Sequence, residues 1–62
     1  MEFLSRIQGS LFRFKYEGNI VYFRDSNTDF WVSCQDIEIK NLNKNEVLAI
    51  GWKFLINQGL IS

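Results

Sequence analysis

The chain has no histidine, no proline, a single cysteine and no net charge in its 62 residues. Each shortage removes a class of function. One cysteine, Cys34, excludes an internal disulfide, and without histidine there is no ordinary zinc site. A serine or cysteine nucleophile would lack its commonest general base. The four glycines, at positions 9, 18, 51 and 59, are too scattered for a phosphate-cradling loop. Asp36 and Glu38 share one side of an extended segment, as paired glycosidase carboxylates do, but so short a chain has no room for a cleft around them. The sequence therefore predicts a non-enzyme with no metal and no cofactor. Seven basic and seven acidic side chains cancel, and a pI near 6.1 argues against a dedicated double-stranded DNA binder, whose affinity rests on phosphate neutralisation. There is no basic-then-apolar leader and no apolar run of membrane length, so a cytoplasmic address without membrane contact is expected.

What the chain does have is apolar bulk. Hydrophobic residues make up 47% of it, with six phenylalanines, two tyrosines and two tryptophans. A domain of about 60 residues buries only about 60% of its unfolded surface, so it needs an unusually rich core or an oligomer contact. Each buried phenylalanine contributes roughly 1.5–3 kcal/mol. No linker, repeat or low-complexity stretch divides the sequence, which reads as one unit over residues 1–62. The lack of proline with many Asn, Ile, Lys and Phe residues is compatible with an AT-rich coding genome, such as that of a phage or mobile element.

The clearest element is the last. Asn43 as N-cap and Glu46 three residues on form a capping box, with Leu42 and Val47 placed for a hydrophobic staple. Gly59 suits a left-handed C′ position, with Leu60 set to fold back on Leu55. Between these signals, Val47, Leu48, Ile50, Gly51, Phe54 and Leu55 form one apolar helical stripe, while Ala49, Trp52 and Ile56 fall on the opposite side. Upstream, Phe12, Phe14 and Tyr16 alternate with Leu11, Arg13 and Lys15 as a strand does. Glu17-Gly18-Asn19 supplies a hairpin turn, with either Glu17-Gly18 or Gly18-Asn19 central. Val21 and Phe23 then share the inner face with Phe14. Phe30 to Gln35 reads as a third strand, Phe30, Val32 and Cys34 inward, with Ile37 and Ile39 extending the alternation. From Glu2 to Gln8, Phe3, Leu4 and Ile7 share one helical side and predict a short N-terminal helix ending at Gly9-Ser10, with a strand as the alternative. The expected fold is α+β, a three-stranded antiparallel β-meander packed on one C-terminal helix, with a short N-terminal helical segment.

Two surfaces qualify as binding sites. Ala49, Trp52 and Ile56 on the helix form a candidate protein interface, because a tryptophan desolvates a large area and keeps an N–H for an acceptor. The alternative is burial of these residues beneath Phe3, Leu4 and Ile7. The outward sheet face combines Arg13, Lys15 and Arg24 with Tyr22 and Trp31, the cation and ring pairing that holds single-stranded nucleic acid by stacking; the alternative is an ordinary solvated sheet face. Asp25 to Asp29 has oxygen ligands spaced like the first half of a calcium loop. Phe30 stands where that loop needs glycine and Asp36 where it needs a bidentate glutamate, which leaves an Asx-rich turn.

The order of strands, turn and helix from Phe12 to Leu55 resembles in layout the HicB-type antitoxin domain, a β-β-β-α unit that folds against a toxin partner. Of that family's Gly-Asp-Thr and Glu-Ala motif before the helix, only Glu46 has a counterpart in Asn41-Leu42-Asn43-Lys44-Asn45-Glu46, so no functional residue carries over. The resemblance implies a small domain that works by binding another protein. The sequence is accordingly read as a small regulator or inhibitor acting through a protein partner, itself or another, as a homodimer. A single-stranded nucleic-acid-binding module is the alternative, and a small structural subunit of a larger assembly is a third.

Overall fold

A computed structural model describes residues 1–25 and 27–62. Four strands, β1 (Glu2–Ile7), β2 (Ser10–Glu17), β3 (Ile20–Asp25) and β4 (Val32–Ser33), are followed by one helix, α1 (Lys44–Asn57). The strands form a single antiparallel sheet in the order β1-β2-β3-β4, and α1 covers one face of it. The α+β class and the meander are as the sequence implies; the strand count and the N-terminal element are not.

The N-terminal segment is a strand, not a helix. Gln8 and Gly9 have φ of 52° and 81° and close a two-residue hairpin in which Ile7 faces Ser10, the left-handed pair a type I′ turn requires. Glutamine tolerates that conformation because its side chain is held at both ends. Its amide donates to the Ser62 carbonyl oxygen, and its Oε1 accepts the Ser62 N–H at 3.1 Å. Gly18 and Asn19, at φ of 58° and 65°, make the second such turn, so Tyr16 opposes Val21 and Phe14 opposes Phe23. Only one of the two registers open in the sequence is therefore used.

The third predicted strand shrinks to Val32–Ser33. Phe30 lies exposed rather than inward, and Ile37 and Ile39 leave the sheet. The segment beyond β4 is instead pinned across the β2–β3 turn by polar contacts. Tyr16 donates its hydroxyl proton to the Ile39 carbonyl. Ile39 N–H donates to the Asn19 carbonyl at 2.9 Å, and the Asn19 amide donates to Glu38 at 3.2 Å. Asp25 folds its own loop as an Asx turn, its Oδ1 accepting the Asn27 N–H at 3.0 Å. The rest of the calcium-like pattern includes Ser26, outside the described residues.

Helix boundaries follow the sequence closely. Asn43 caps the Glu46 N–H while Glu46 reaches back to the Asn43 N–H, and Gly59 at φ 73° closes a Schellman end. There the Leu60 N–H donates to Leu55 and the Gly59 N–H to Ile56. Ile61, not Leu60, then enters the core.

Ile7, Phe12, Phe14, Val21, Val47 and Leu55 are fully enclosed, with Phe23, Cys34 and Ile61 completing the interior. Phe23 packs on Phe54 at 5.5 Å between ring centroids and edge-on against Phe12 at 6.4 Å. Gly51 allows α1 to lie directly on the Phe14 ring: a Cβ there would stand 2.7 Å from Phe14 Cδ1. That contact explains a helical glycine costing about 1 kcal/mol relative to alanine. No buried polar or charged residue interrupts this interior among the described residues.

Candidate functional site

The outer side of α1 is bare. Trp52 is 43% exposed, Ile56 49% exposed, and Ala49 is also at the surface. One helix cannot bury both of its apolar sides on one sheet, and its inner stripe of Val47, Gly51 and Leu55 already takes the available face. The N-terminal segment does not cover Trp52, because as a strand it sends Phe3 and Ile7 toward the core and Leu4 to the opposite face of the sheet. What lies beside Trp52 is a groove of about 430 Å³ between α1 and β1, lined by Ser5, Asn45, Leu48, Ala49 and Trp52. Lys44, 5.2 Å from the centre of the Phe3 ring, bridges α1 to β1 at one end. The sequence pattern does not mark Ser5, Asn45 or Leu48 as groove residues. Ser5 carried a signal all the same: on the strand it is the polar residue on the inner face, and Leu4 the apolar one on the outer face.

A second concavity, about 210 Å³, sits between the β3–β4 side and the end of the helix, with Phe30 and Leu60 exposed at its mouth and Phe23 and Val32 at its base. The sequence pattern marks neither Phe30 nor Leu60 as a site residue. The alternation that points Phe30 inward does not apply, because β4 begins only at Val32.

The sheet's outer face brings together all five residues expected there. Lys15 lies 5.0 Å from the centre of the Tyr22 ring and 4.7 Å from that of Trp31, and the Arg24 guanidinium 5.4 Å from Trp31. Such contacts contribute about 0.5–1 kcal/mol each at exposed sites. Arg13 faces Arg24 directly across the strands. Two like charges in that position repel, and the repulsion is relieved on one side by Glu2, whose carboxylate is 3.2 Å from Arg13. Lys15 has Glu17 at 3.7 Å. The Arg24 Nε is buried with no acceptor. Cations therefore occupy the ring faces, and acids partly occupy the cations.

No protein family, curated protein or solved structure was found to match this chain. The functional reading rests on its residues alone.

Cys34, the residue with the most reactive atom, is buried, and desolvation pushes its thiol up to about 12, so the thiolate that reacts with electrophiles is scarce at neutral pH. Asp36 and Glu38 are both exposed, with Glu38 engaged by Asn19. Among the described residues no helix is long and apolar enough to cross a membrane.

Proposed function

We propose that this protein is a non-enzymatic protein-binding module, a small regulator or inhibitor that acts by covering a surface of a protein partner. The supporting observation is the exposed stripe Ala49, Trp52 and Ile56, with Trp52 and Ala49 lining an open groove beside β1. An aromatic anchor next to a recess is the arrangement that concentrates binding energy in interfaces. Contiguous apolar surface of this kind is unfavourable in an isolated small domain unless something covers it. The test is solution molar mass by light scattering across a dilution series, alone and with candidate partners, for the native chain and for Trp52→Ala. Loss of association in a variant that keeps its fold supports the reading. Association unaffected by the substitution removes the helix surface from it.

A second reading is favoured by one observation. Arg13 opposite Arg24, with an unpartnered Arg24 Nε, is a local excess of positive charge that an anion would relieve. With Lys15, Tyr22 and Trp31 beside them, a single-stranded nucleic acid is the ligand that uses both rings and cations. Oligonucleotide affinity that falls with salt and disappears in Arg13→Ala/Arg24→Ala would establish it; no binding at low salt would exclude it.

A further inference from the structure

We infer that the bare edge of β1 is where a second copy of this chain adds its own β1, antiparallel, with Leu4 on the twofold axis. The inference rests on the protein-binding reading and names its first partner, the chain itself.

β1 is a terminal strand of the sheet, and among the described residues β2 is its only strand neighbour. The hairpin closes at the Ile7–Ser10 pair, and the Tyr16 N–H donates to the Met1 carbonyl at 2.9 Å. The odd-numbered residues of β1 therefore spend their backbone groups on β2, and by the alternation of an antiparallel ladder the N–H and C=O groups of Glu2, Leu4 and Arg6 point away from the sheet. β1 has no proline, no lysine and no bulge to protect this edge over its six residues of regular strand, and its two charges, Glu2 and Arg6, are of opposite sign and so do not repel a second copy.

The sequence of that edge is complementary to itself. In an antiparallel pairing, residues that point outward must meet residues that point outward, so Glu2, Leu4 and Arg6 can pair only among themselves. Centring on Leu4 sets Leu4 against Leu4 and Glu2 against Arg6 of the second copy, twice over by symmetry. Each of these pairs exchanges two backbone hydrogen bonds. Shifting the register by two residues in either direction puts Leu4 against a charge and shortens the ladder. Arg6 is exposed and forms none of the ion pairs seen among the described residues, so it is available to Glu2 of the second copy. Leu4, 51% exposed on the outer face, would lose that exposure against its own symmetry mate. On the inner face the same register puts Phe3 of the second copy opposite Ser5, at the wall of the groove beside Trp52. The two grooves then meet along the seam, which gives Ser5 and Leu4 a reason to occupy faces that a solitary strand would assign the other way round. A twofold interface of this kind needs only one self-complementary patch.

The experiment measures molar mass in a dilution series for the native chain and four variants, with circular dichroism to confirm folding. Leu4→Pro removes an N–H that the isolated fold does not use, at an edge position where proline is tolerated. It is expected to be folded and monomeric. Arg6→Glu and Glu2→Lys, each alone, set like charges opposite one another at two symmetric positions and are expected to weaken the dimer at least about tenfold. Their equimolar mixture restores both pairs and is expected to form a mixed dimer of near-native affinity. That rescue reads the register even if Leu4→Pro does not fold. A native chain that stays monomeric throughout overturns the inference and leaves the protein-binding reading to a different partner. A dimer that survives Leu4→Pro but is lost in Trp52→Ala also overturns it, placing self-association on the helix. A mixture that stays monomeric overturns the register.

Discussion

Along the outer edge of β3 the chain satisfies its backbone piece by piece. Val32 and Ser33 pair with Phe23 and Tyr22. The Cys34 N–H donates to the Val21 carbonyl at 2.8 Å, the Val21 N–H donates to the Gln35 side-chain oxygen at 3.2 Å, and Ile39 reaches the Asn19 carbonyl. β4 is only two residues long, which itself deters pairing with another chain. Along β1, at the other end of the same sheet, six residues of regular strand pair on one side with β2 and on the other with no strand among the described residues. One edge has been closed with irregular chain and a glutamine side chain, the other left open beside a groove and an exposed tryptophan. Residues on the closed edge should therefore hold the fold together, and residues on the open edge should matter only when something binds.

The largest effect belongs to the closed side. Phe23 touches both Phe12 and Phe54, so Phe23→Ala should cost about 3–5 kcal/mol. That is comparable with the whole stability of a chain this short, about 3–9 kcal/mol at 0.05–0.15 kcal/mol per residue. A chain that is largely unfolded at room temperature by circular dichroism is the expected result. Next is Gln35→Ala, which leaves the fully buried Val21 N–H without its acceptor at a cost of about 1–3 kcal/mol, seen as a lower denaturant midpoint. If that midpoint were unchanged, the side chain would not be sealing the β3 edge.

Cys34 gives an effect absent at neutral pH and confined to alkaline pH. Burial raises its folded pKa from 9.0 to about 12, so the folded state holds a proton that the unfolded state gives up first. Its contribution is intact below pH 9 and is lost as pH rises from 9 toward 12. Thermal midpoints should fall over that range, and less so in Cys34→Ala. On the open side, Trp52→Ala should change the stability of the dilute monomer by less than about 1 kcal/mol while abolishing binding of a protein partner at the helix surface. A large loss of monomer stability would mean that Trp52 belongs to the core and that the two edges do not differ as described.

The parts of this fold legible in the sequence are those where local chemistry and burial agree. Asn43, Glu46 and Gly59 mark α1 because caps are local devices, and Phe12 to Phe23 mark the central hairpin because its inner face is fully buried. β1 was misread for the opposite reason. Leu4 faces outward and Ser5 inward, so the period of two is broken, and Phe3, Leu4 and Ile7 mimic a helical side. The turn at Gln8-Gly9 carries only half of the usual type I′ signal, since glutamine adopts positive φ here through its contact with Ser62, which lies 54 positions away in the chain. Phe30 was misplaced because a side chain, Gln35, does the work of a longer β4. The five residues of the cation–aromatic face were found from alternation alone, as were Ala49, Trp52 and Ile56 from helical spacing. The groove was not, because it needs β1 beside α1. The violated pattern and the unprotected edge coincide, as is expected where a sequence is constrained by something besides its own fold.

Amide hydrogen exchange, read residue by residue at high and low protein concentration, tests the central claim most directly. Phe3 and Ser5 donate within the sheet and should be protected at both concentrations. The account predicts that Leu4 and Arg6 are protected when the protein is concentrated and exchange freely when it is dilute. Fast exchange of Leu4 and Arg6 at every concentration, with Phe3 and Ser5 protected throughout, would contradict it and leave the β1 edge open to water.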